Sequence, residues 1–151
     1  MADDVEAIVL WLLVVNLGVA FGAGIYESRF EVPRWRHLPP REWTNTGTKF
    51  WAFVTTGPLT LLTVASLVLV WGADGARQGW WLVATALLVI ERLMTFGYFI
   101  PTMARLQSSS GLAPAEVNTT LSRWMTLNLG RHLLDLAAWL TSLAAFSTIG
   151  D

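Results

Sequence analysis

The sequence predicts an all-α integral membrane protein, a four-helix transmembrane bundle with an ordered cytoplasmic loop between its first two helices. Three observations predict this class. The chain of 151 residues is 54% hydrophobic and only 14% charged, whereas soluble domains carry about 25% charged residues. Its mean hydropathy is +0.49. Apolar runs of about the 20 residues needed to cross a bilayer recur along the chain, separated by polar segments.

The first predicted span covers residues 7–26. It follows an acidic segment and lacks the positive n-region of a secretory signal, so we expect it to be retained as a membrane helix. Gly18 and Gly22 have the small-xxx-small spacing that lets two membrane helices approach closely. We expect these two glycines to mark a tight contact between helices.

Residues 27–49, ESRFEVPRWRHLPPREWTNTGTK, interrupt the apolar pattern with three prolines and five basic residues. This composition predicts an extramembrane loop between the first two spans. Its aromatic residues and prolines favour an ordered cap over the bundle. Trp35 and Trp43 are expected at the headgroup layer, where amphipathic rings are enriched.

The second and third spans are predicted at residues 50–71 and 80–104. Pro58 lies inside the second span, where a proline kinks a membrane helix and frees a carbonyl for another partner. The link of residues 72–79 is short and polar, so the two spans should form an antiparallel hairpin. The hairpin would place three tryptophans together at one membrane interface: Trp71, Trp80 and Trp81.

The fourth span is predicted at residues 118–147, in a helix that begins near Pro114. Proline suits the first turn of a helix, and Glu116 suits the positive end of the helix dipole. The chain shows no internal repeat and no second domain, so residues 1–151 are expected to form a single transmembrane domain.

Basic residues predict the orientation of the bundle. With four spans, the loops 27–49 and 105–114 share one side of the membrane, and that side collects most of the basic residues: Arg29, Arg34, Arg36, Arg41, Lys49, Arg105 and Arg123. The other side has only one basic residue beside its acidic ones: Arg77, with Asp3, Asp4, Glu6, Asp74 and Asp151. The positive-inside rule therefore predicts cytoplasmic loops and external termini, in the cell membrane.

Ionisable side chains lie inside the predicted spans. Glu91 and Arg92 occupy the middle of the third span, where each charge costs about 2.5–3.5 kcal/mol on insertion scales. Arg92 lies about 100° around the helix from Glu91 and is expected to contact a different neighbour. The fourth span carries four polar residues at i, i+3, i+4 and i+7, which places them on one face: Asn128, Arg131, His132 and Asp135.

Two interpretations of this cluster stay open. The two acids could pair with the two arginines and simply fix the register of the helices. Intramembrane ionisable groups are nevertheless a functional hypothesis by default, and a histidine remains once the charges are paired. Because an acid one turn away can orient a histidine for acid–base chemistry, the candidate catalytic residues are Glu91, His132 and Asp135. The candidate substrate-binding residues are Asn16, Tyr26, Glu27, Arg92, Tyr98, Asn128 and Arg131.

The sequence lacks the short motifs of several common nucleotide-binding and hydrolytic sites. The sequence contains no GxxxxGK[ST], GxGxxG, HExxH or GxSxG motif. The net charge of −1 gives no reason to expect nucleic acid as a partner, and the absence of cysteine excludes disulfides and thiolate metal sites. One histidine among carboxylates gives little preference for a transition metal, so no metal site is predicted. The residue types do not select a cofactor.

Two short motifs carry a family resemblance: the first helix reads GVAFGAGIYES, and the last contains W-x3-N-x2-R with Trp124, Asn128 and Arg131. With four spans in about 150 residues, the chain resembles the anthrone-oxygenase-like integral membrane family. The resemblance implies a helical bundle in the membrane and, for some members, oxidation of a hydrophobic polycyclic substrate. By position, Asn128 and Arg131 are the residues of this chain that match the family's motif, so the resemblance implies a functional role for these two.

The leading prediction is a small membrane-embedded enzyme that acts on a lipophilic molecule entering from the bilayer. The reaction could be oxygenation, isomerisation, or ring opening or closure. A proton- or cation-coupled transport protein is the alternative from another class, and such a small bundle would then have to form a homo-oligomer. A structural or accessory membrane subunit is the third possibility.

Overall fold

The computed structural model describes residues 2–43, 48–108 and 112–149, and within these ranges the chain is helical and contains no strand. The α-helices are α1 (Ala2–Tyr26), α2 (Val32–Trp35), α3 (Thr48–Phe50), α4 (Gly57–Leu69), α5 (Gly75–Met94), α6 (Ile100–Ser108) and α7 (Pro114–Ser147). A short 3-10 helix covers Pro40–Glu42, and three π-helical turns join consecutive α-helices: Glu27–Glu31, Trp51–Thr56 and Thr95–Phe99. The all-α prediction is confirmed.

Three of the described helices are long and apolar enough to cross a membrane. They cover Asp4–Trp35, Thr48–Leu69 and Gly75–Ser108, and each joins two or more of the elements above. The long helix α7 is not among them, because the polar residues along it lower its mean hydropathy. In the described part of the chain, three helices thus have the length and composition of membrane spans.

The first helix does not end where the apolar pattern ends. It continues past Tyr26 through the first π turn into α2, so the predicted loop boundary at residue 27 is wrong. Trp35 and Trp43 are buried rather than exposed to a headgroup layer, and their rings stack at 5.3 Å between centroids. The Trp43 indole Nε1 donates hydrogen bonds to the carbonyls of Trp35 and Leu38, at 2.9 and 3.0 Å. Residues 44–47 of the predicted loop lie outside the described residues.

The core consists of three layers along the bundle. Residue numbers rise from the first layer to the middle layer in α1 and α5 and fall in α7, so α7 runs antiparallel to both. The first layer contains Leu10, Val70, Ala73, Trp81 and Ala145. The middle layer contains Leu13, Leu17, Ala20, Leu59, Leu88 and Ala138. The cap layer contains Val32, Trp35, Trp43, Phe99, Leu106, Leu121 and Trp124. Helix α7 packs against both α1 and α5, and α4 packs against α1 and α5.

Trp81 belongs to the first layer and is fully buried, while Trp71 and Trp80 are exposed. The prediction of a three-tryptophan interface is therefore wrong for Trp81. Beside this layer, Arg77 donates to the buried Glu6 carboxylate at 2.8 Å. That ion pair links α1 to the start of α5.

The glycines of α1 have different surroundings. A Cβ at Gly18 would lie 3.1 Å from the Trp139 ring, whereas one at Gly22 would meet nothing within 4 Å. A Cβ at Gly24 would lie 2.3 Å from Cε1 of His132. The close contact between helices that was predicted at Gly22 is therefore found at Gly24. There the backbone of α1 packs against the His132 ring of α7.

Candidate functional site

Polar side chains meet between the middle layer and the cap layer, at the level of the three π turns. Each π turn supplies one group to the hydrogen-bonded network: the Ser28 hydroxyl, the Thr56 carbonyl and the Thr95 hydroxyl. A π turn inserts one extra residue per turn, which rotates the side chains that follow, and such turns are frequent at functional sites. The irregular backbone therefore directs polar groups of three helical segments toward α7.

Glu91 forms the anionic centre of the network and is 1% exposed. The Thr95 hydroxyl donates to its Oε1 at 2.7 Å, and Nη1 of Arg131 lies 3.5 Å from the same oxygen. The neighbouring Arg92 forms an ion pair with Oε2. Two arginines thus share one carboxylate, and Arg92, which was expected to contact a different neighbour, pairs with Glu91 as well as reaching another segment.

Arg92 also reaches the second π turn, where its Nη1 donates to the Thr56 carbonyl at 3.3 Å. This part of the helix precedes Pro58, which has no N–H to donate. Val54 lies four residues before Pro58, and its carbonyl accepts a hydrogen bond from Nδ2 of Asn16 at 2.7 Å. Pro58 was expected to free a backbone carbonyl for another partner. That carbonyl is Val54, and the side chain that donates to it is Asn16 of α1.

From Glu91 the network continues along the polar face of α7. Nε of Arg131 donates to Oδ1 of Asn128 at 2.9 Å, which leaves the Asn128 Nδ2 group as a donor. That Nδ2 lies 3.1 Å from Oγ of Ser28 and 3.0 Å from Nε2 of His132. The arginine thus orients the asparagine, and the asparagine contacts both the serine and the histidine.

The surroundings of His132 define its tautomer. Ser28 Oγ and Asn128 Nδ2 lie 2.9 and 3.0 Å from Nε2, and the amide can only donate. Nε2 is therefore the acceptor, and the ring proton of neutral His132 is on Nδ1. Nδ1 faces Oδ2 of Asp135 at 3.8 Å, too long for a hydrogen bond. Both Nδ1 and the buried Oδ1 of Asp135 lack a hydrogen-bond partner among the described residues.

A cavity of about 140 Å³ adjoins this part of the network. Three of its lining side chains are polar: Ser28, Asn128 and His132. The others are apolar and come from α1, α2 and α7: Ile25, Val32, Trp124, Met125 and Leu129. Ile25 and Leu129 are 43% and 60% exposed, so the cavity opens to the outside of the bundle between them. The site therefore combines an apolar wall with three convergent hydrogen-bonding groups.

A second groove of about 450 Å³ runs between α4 and α5 and reaches the π turn Thr95–Phe99. Its walls are mainly apolar side chains and threonines, and Arg92 contributes to its floor. Because both ends of that guanidinium are already bound to Glu91 and Thr56, the groove has no free polar group from the network.

The structure brings five of the ten predicted site residues into one network, with Asp135 beside it at 3.8 Å from His132: Glu91, Arg92, Asn128, Arg131 and His132. Glu27 accepts a hydrogen bond from the Trp51 indole and lies within electrostatic range of Arg131 and His132. Asn16 binds the Val54 carbonyl instead of the network. Tyr26 is exposed and packs on Phe30, and Tyr98 packs against the cap layer.

Sequence reasoning missed Ser28 and Thr95. Thr95 follows Glu91 by four residues, so helical spacing could have identified it as a partner. Ser28 was placed in the loop because the apolar run ends at Tyr26, and only the continuation of the helix brings it to His132. Among the described residues, no group of three or more His, Asp or Glu side chains is arranged to hold a metal ion.

Comparison with known families gives one match. The sequence model of a family described as anthrone oxygenase matches residues 49–141, more than half of the chain. The matched region contains α4, α5, α6 and the part of α7 that carries the network. Neither the curated proteins nor the solved structures give a significant match.

Proposed function

The chain belongs to the anthrone oxygenase family, and we propose that it is a membrane-embedded enzyme that oxidises a lipophilic molecule in the cavity beside His132. The observation that supports this proposal most directly is the composition of that cavity, whose apolar walls end at Ser28, Asn128 and His132. Small-molecule sites combine apolar walls with a few convergent polar groups in this way.

The family name indicates an anthrone, a polycyclic ketone with an acidic ring methylene, as the substrate class. In the proposed reaction, His132 Nε2 removes a proton from the methylene and leaves a delocalised anion. Dioxygen, the second substrate, oxidises this anion: one oxygen atom becomes the new carbonyl oxygen, and the other leaves as water. General base catalysis contributes about 10²–10⁴-fold to such a step.

The negative charge that develops on the substrate oxygen needs a donor. Asn128 and Arg131 are the donors that the network supplies beside His132. Arg131 lies 5.0 Å from the centroid of the Phe99 ring and 3.5 Å from Glu91, so its position is fixed from two sides. Preorganised donors of this kind stabilise a developing oxyanion without reorganisation during the reaction.

Glu91 has a supporting part in this proposal. It does not line the cavity, and both of its carboxylate oxygens are engaged by arginines and a threonine. Its charge balances Arg131, which in turn orients Asn128. Proton transfer by Glu91 itself, and by Asp135, stays a prediction from the sequence.

The four-span topology is part of the same proposal. The outer face of α7 carries exposed leucines suited to lipid: Leu129, Leu133, Leu140 and Leu143. Its polar face is covered by α1 and α5, with Asn128, His132 and Asp135 at most 4% exposed. A helix whose polar residues all face its neighbours can cross a membrane despite a modest mean hydropathy. The basic residues then favour a cytoplasmic cap and external termini.

Because the chain has no cysteine, single cysteines test this topology without a background. Arg41→Cys and Ser147→Cys place one thiol on each predicted side, the second at the exposed far end of α7. A membrane-impermeant maleimide added to intact cells should label the second variant only. Equal labelling of both variants would contradict the four-span arrangement.

Oxygenation is tested with purified protein in lipid nanodiscs, supplied with an anthrone under ¹⁸O₂. We expect one ¹⁸O atom in the quinone product by mass spectrometry, and His132→Ala should lower the rate at least 100-fold. Thr119→Val, an exposed change on the same helix, serves as the matched control. Turnover of the His132 variant at the control rate would remove His132 from the mechanism.

A further inference from the structure

Ser28 is a polar group of the cavity for which the proposed oxidation has no use. We propose that Ser28 is a nucleophile activated by His132, and that the site also cleaves carboxylic esters whose alkyl part lies in the bilayer. The juxtaposition of Ser28, His132 and Asp135 carries this inference. It needs no oxidant, so it stands apart from the proposed oxidation even though both use the same histidine.

The three side chains have the order of a nucleophile, a base and an orienting acid. Ser28 Oγ lies 2.9 Å from Nε2 of His132, within hydrogen-bond reach. The opposite ring nitrogen, Nδ1, faces Oδ2 of Asp135 at 3.8 Å. A serine, a histidine and a carboxylate in this sequence of contacts are recognised by geometry rather than by position along the chain, and the contacts are often longer without substrate.

The hydrogen-bond directions agree with this assignment. Asn128 Nδ2 donates to Oγ of Ser28 at 3.1 Å, so the serine hydroxyl proton can point at Nε2, where it shares the ring lone pair with an N–H of the same amide. The histidine is the tautomer that can accept that proton, because its own proton is on Nδ1. The Nδ1–H and the buried Oδ1 of Asp135 have no hydrogen-bond partner among the described residues, and Nδ1 faces Oδ2 at 3.8 Å. Closure of this distance when a substrate binds would make the acid a positioning residue for the ring.

Gly24 and the first π turn hold the two reacting side chains together. The absence of a side chain at Gly24 lets α1 pass over the His132 ring. The π turn Glu27–Glu31 then directs Ser28 toward that ring. Gly24 of α1 thus leaves room for the histidine ring, and the turn that follows α1 brings Ser28 to it.

The reaction balances with water as the only co-substrate. Ser28 Oγ attacks the ester carbonyl while its proton passes to Nε2 of His132, and the same proton then leaves with the alcohol. Water attacks the resulting acyl-serine and gives one proton to Nε2, which passes it to Oγ of Ser28 as the acid is released. The Asn128 amide, whose two N–H groups face Ser28 and His132 in the free site, would turn one of them to the oxygen that becomes negative.

The cavity defines the class of ester. Its volume of about 140 Å³ holds a short acyl group. The apolar walls Ile25, Val32, Met125 and Leu129 carry no charge for an ionic substrate. Because the opening lies between the exposed Ile25 and Leu129, a longer alkyl chain can extend into the lipid. We therefore expect neutral, lipophilic esters to react.

The test uses the full chain in nanodiscs and an alkyl fluorophosphonate, which forms a stable bond to an activated serine as fluoride leaves. We expect one adduct per chain, mapped by peptide mass spectrometry to Ser28. Ser28→Ala should abolish labelling, and His132→Gln should slow it about 100-fold or more. Ser122→Ala, an exposed serine on α7, should label at the wild-type rate.

Asp135→Asn should slow labelling at least tenfold, and Asp135→Glu, which keeps the negative charge, should restore most of the rate. A purely structural role would lower thermal stability without this recovery. Hydrolysis of p-nitrophenyl butyrate should follow the same order of variants.

The inference is overturned if the folded wild-type protein takes up no label, or if the adduct maps to another residue. Because mapping uses the wild-type chain, the result does not depend on whether a variant folds. Labelling is measured without an anthrone or dioxygen, so its failure is separate from a failure of the proposed oxidation.

Discussion

At the first layer of the bundle the helices are regular, whereas at the level of the polar network every segment except α7 contains a π turn. Around Trp81 and Leu10 a cluster of apolar side chains forms the layer, and one ion pair, Arg77–Glu6, lies beside it. Around Glu91 three π turns direct a serine, a threonine and a backbone carbonyl toward α7. The difference shows that apolar layers need only regular helices, while convergence of polar groups needs changes of helical register.

The two regions also treat charge differently. Glu6 pairs with Arg77, whose side chain is 20% exposed, so water can solvate the arginine. Glu91 lies between Arg92 and Arg131, which are 10% and 13% exposed. The Glu91 cluster keeps three charged side chains away from lipid. It also holds Arg131 next to Asn128, which lines the cavity.

The sharpest test of this contrast removes the acid from each region. Glu91→Leu should lower the free energy of unfolding by about 3–5 kcal/mol, because it leaves two buried arginines without their counter-charge. Glu6→Leu should cost less, about 1.5–3 kcal/mol, since it removes one charged hydrogen bond near solvent. Denaturant titration in mixed micelles measures both. Equal losses of unfolding free energy in the two variants would show that the two acids are equally important for stability.

A second test uses two glycines two residues apart on α1. Gly24→Ala places a Cβ 2.3 Å from Cε1 of His132 and must displace the ring. A displacement near 1 Å costs about 100-fold in turnover. Gly22→Ala meets nothing within 4 Å and should leave turnover unchanged. Oxidation and ester hydrolysis assays report the loss, and a Gly24 variant with wild-type rates would contradict the placement of the ring.

The smallest expected effect concerns the second π turn. Asn16→Leu removes the donor to the Val54 carbonyl, and hydrogen bonds between membrane helices contribute about 0.6 kcal/mol on average. We expect a small loss of thermal stability with turnover unchanged, because Asn16 lies outside the network. A large loss of turnover would instead connect this bond to the cavity.

Much of the fold follows from the sequence because burial in a membrane imposes a simple pattern. The helix from Pro114 to Ser147 agrees with its predicted limits, and the polar face of α7 follows from helical spacing. The family resemblance, based on two short motifs, is confirmed by the match over residues 49–141. The fourth span and the orientation of the bundle stay predictions.

The site itself was predictable only in part. The sequence identified Glu91 and His132 because ionisable groups are costly in an apolar run. It gave no means to tell that Arg92 and Arg131 would both bind Glu91, although helical spacing did place Asp135 beside His132. Which ionisable groups pair with one another depends on the distances between helices.

The sequence by itself determined which residues are polar inside apolar helices, since composition and spacing are local properties. Only the tertiary structure decided which of them meet. The first π turn carries the helix past residue 26 and brings Ser28 to His132, and the missing side chain at Gly24 makes room for the ring. Register shifts of one residue and contacts between distant helices leave no periodic signal in a sequence, because they arise from the packing of one helix against another.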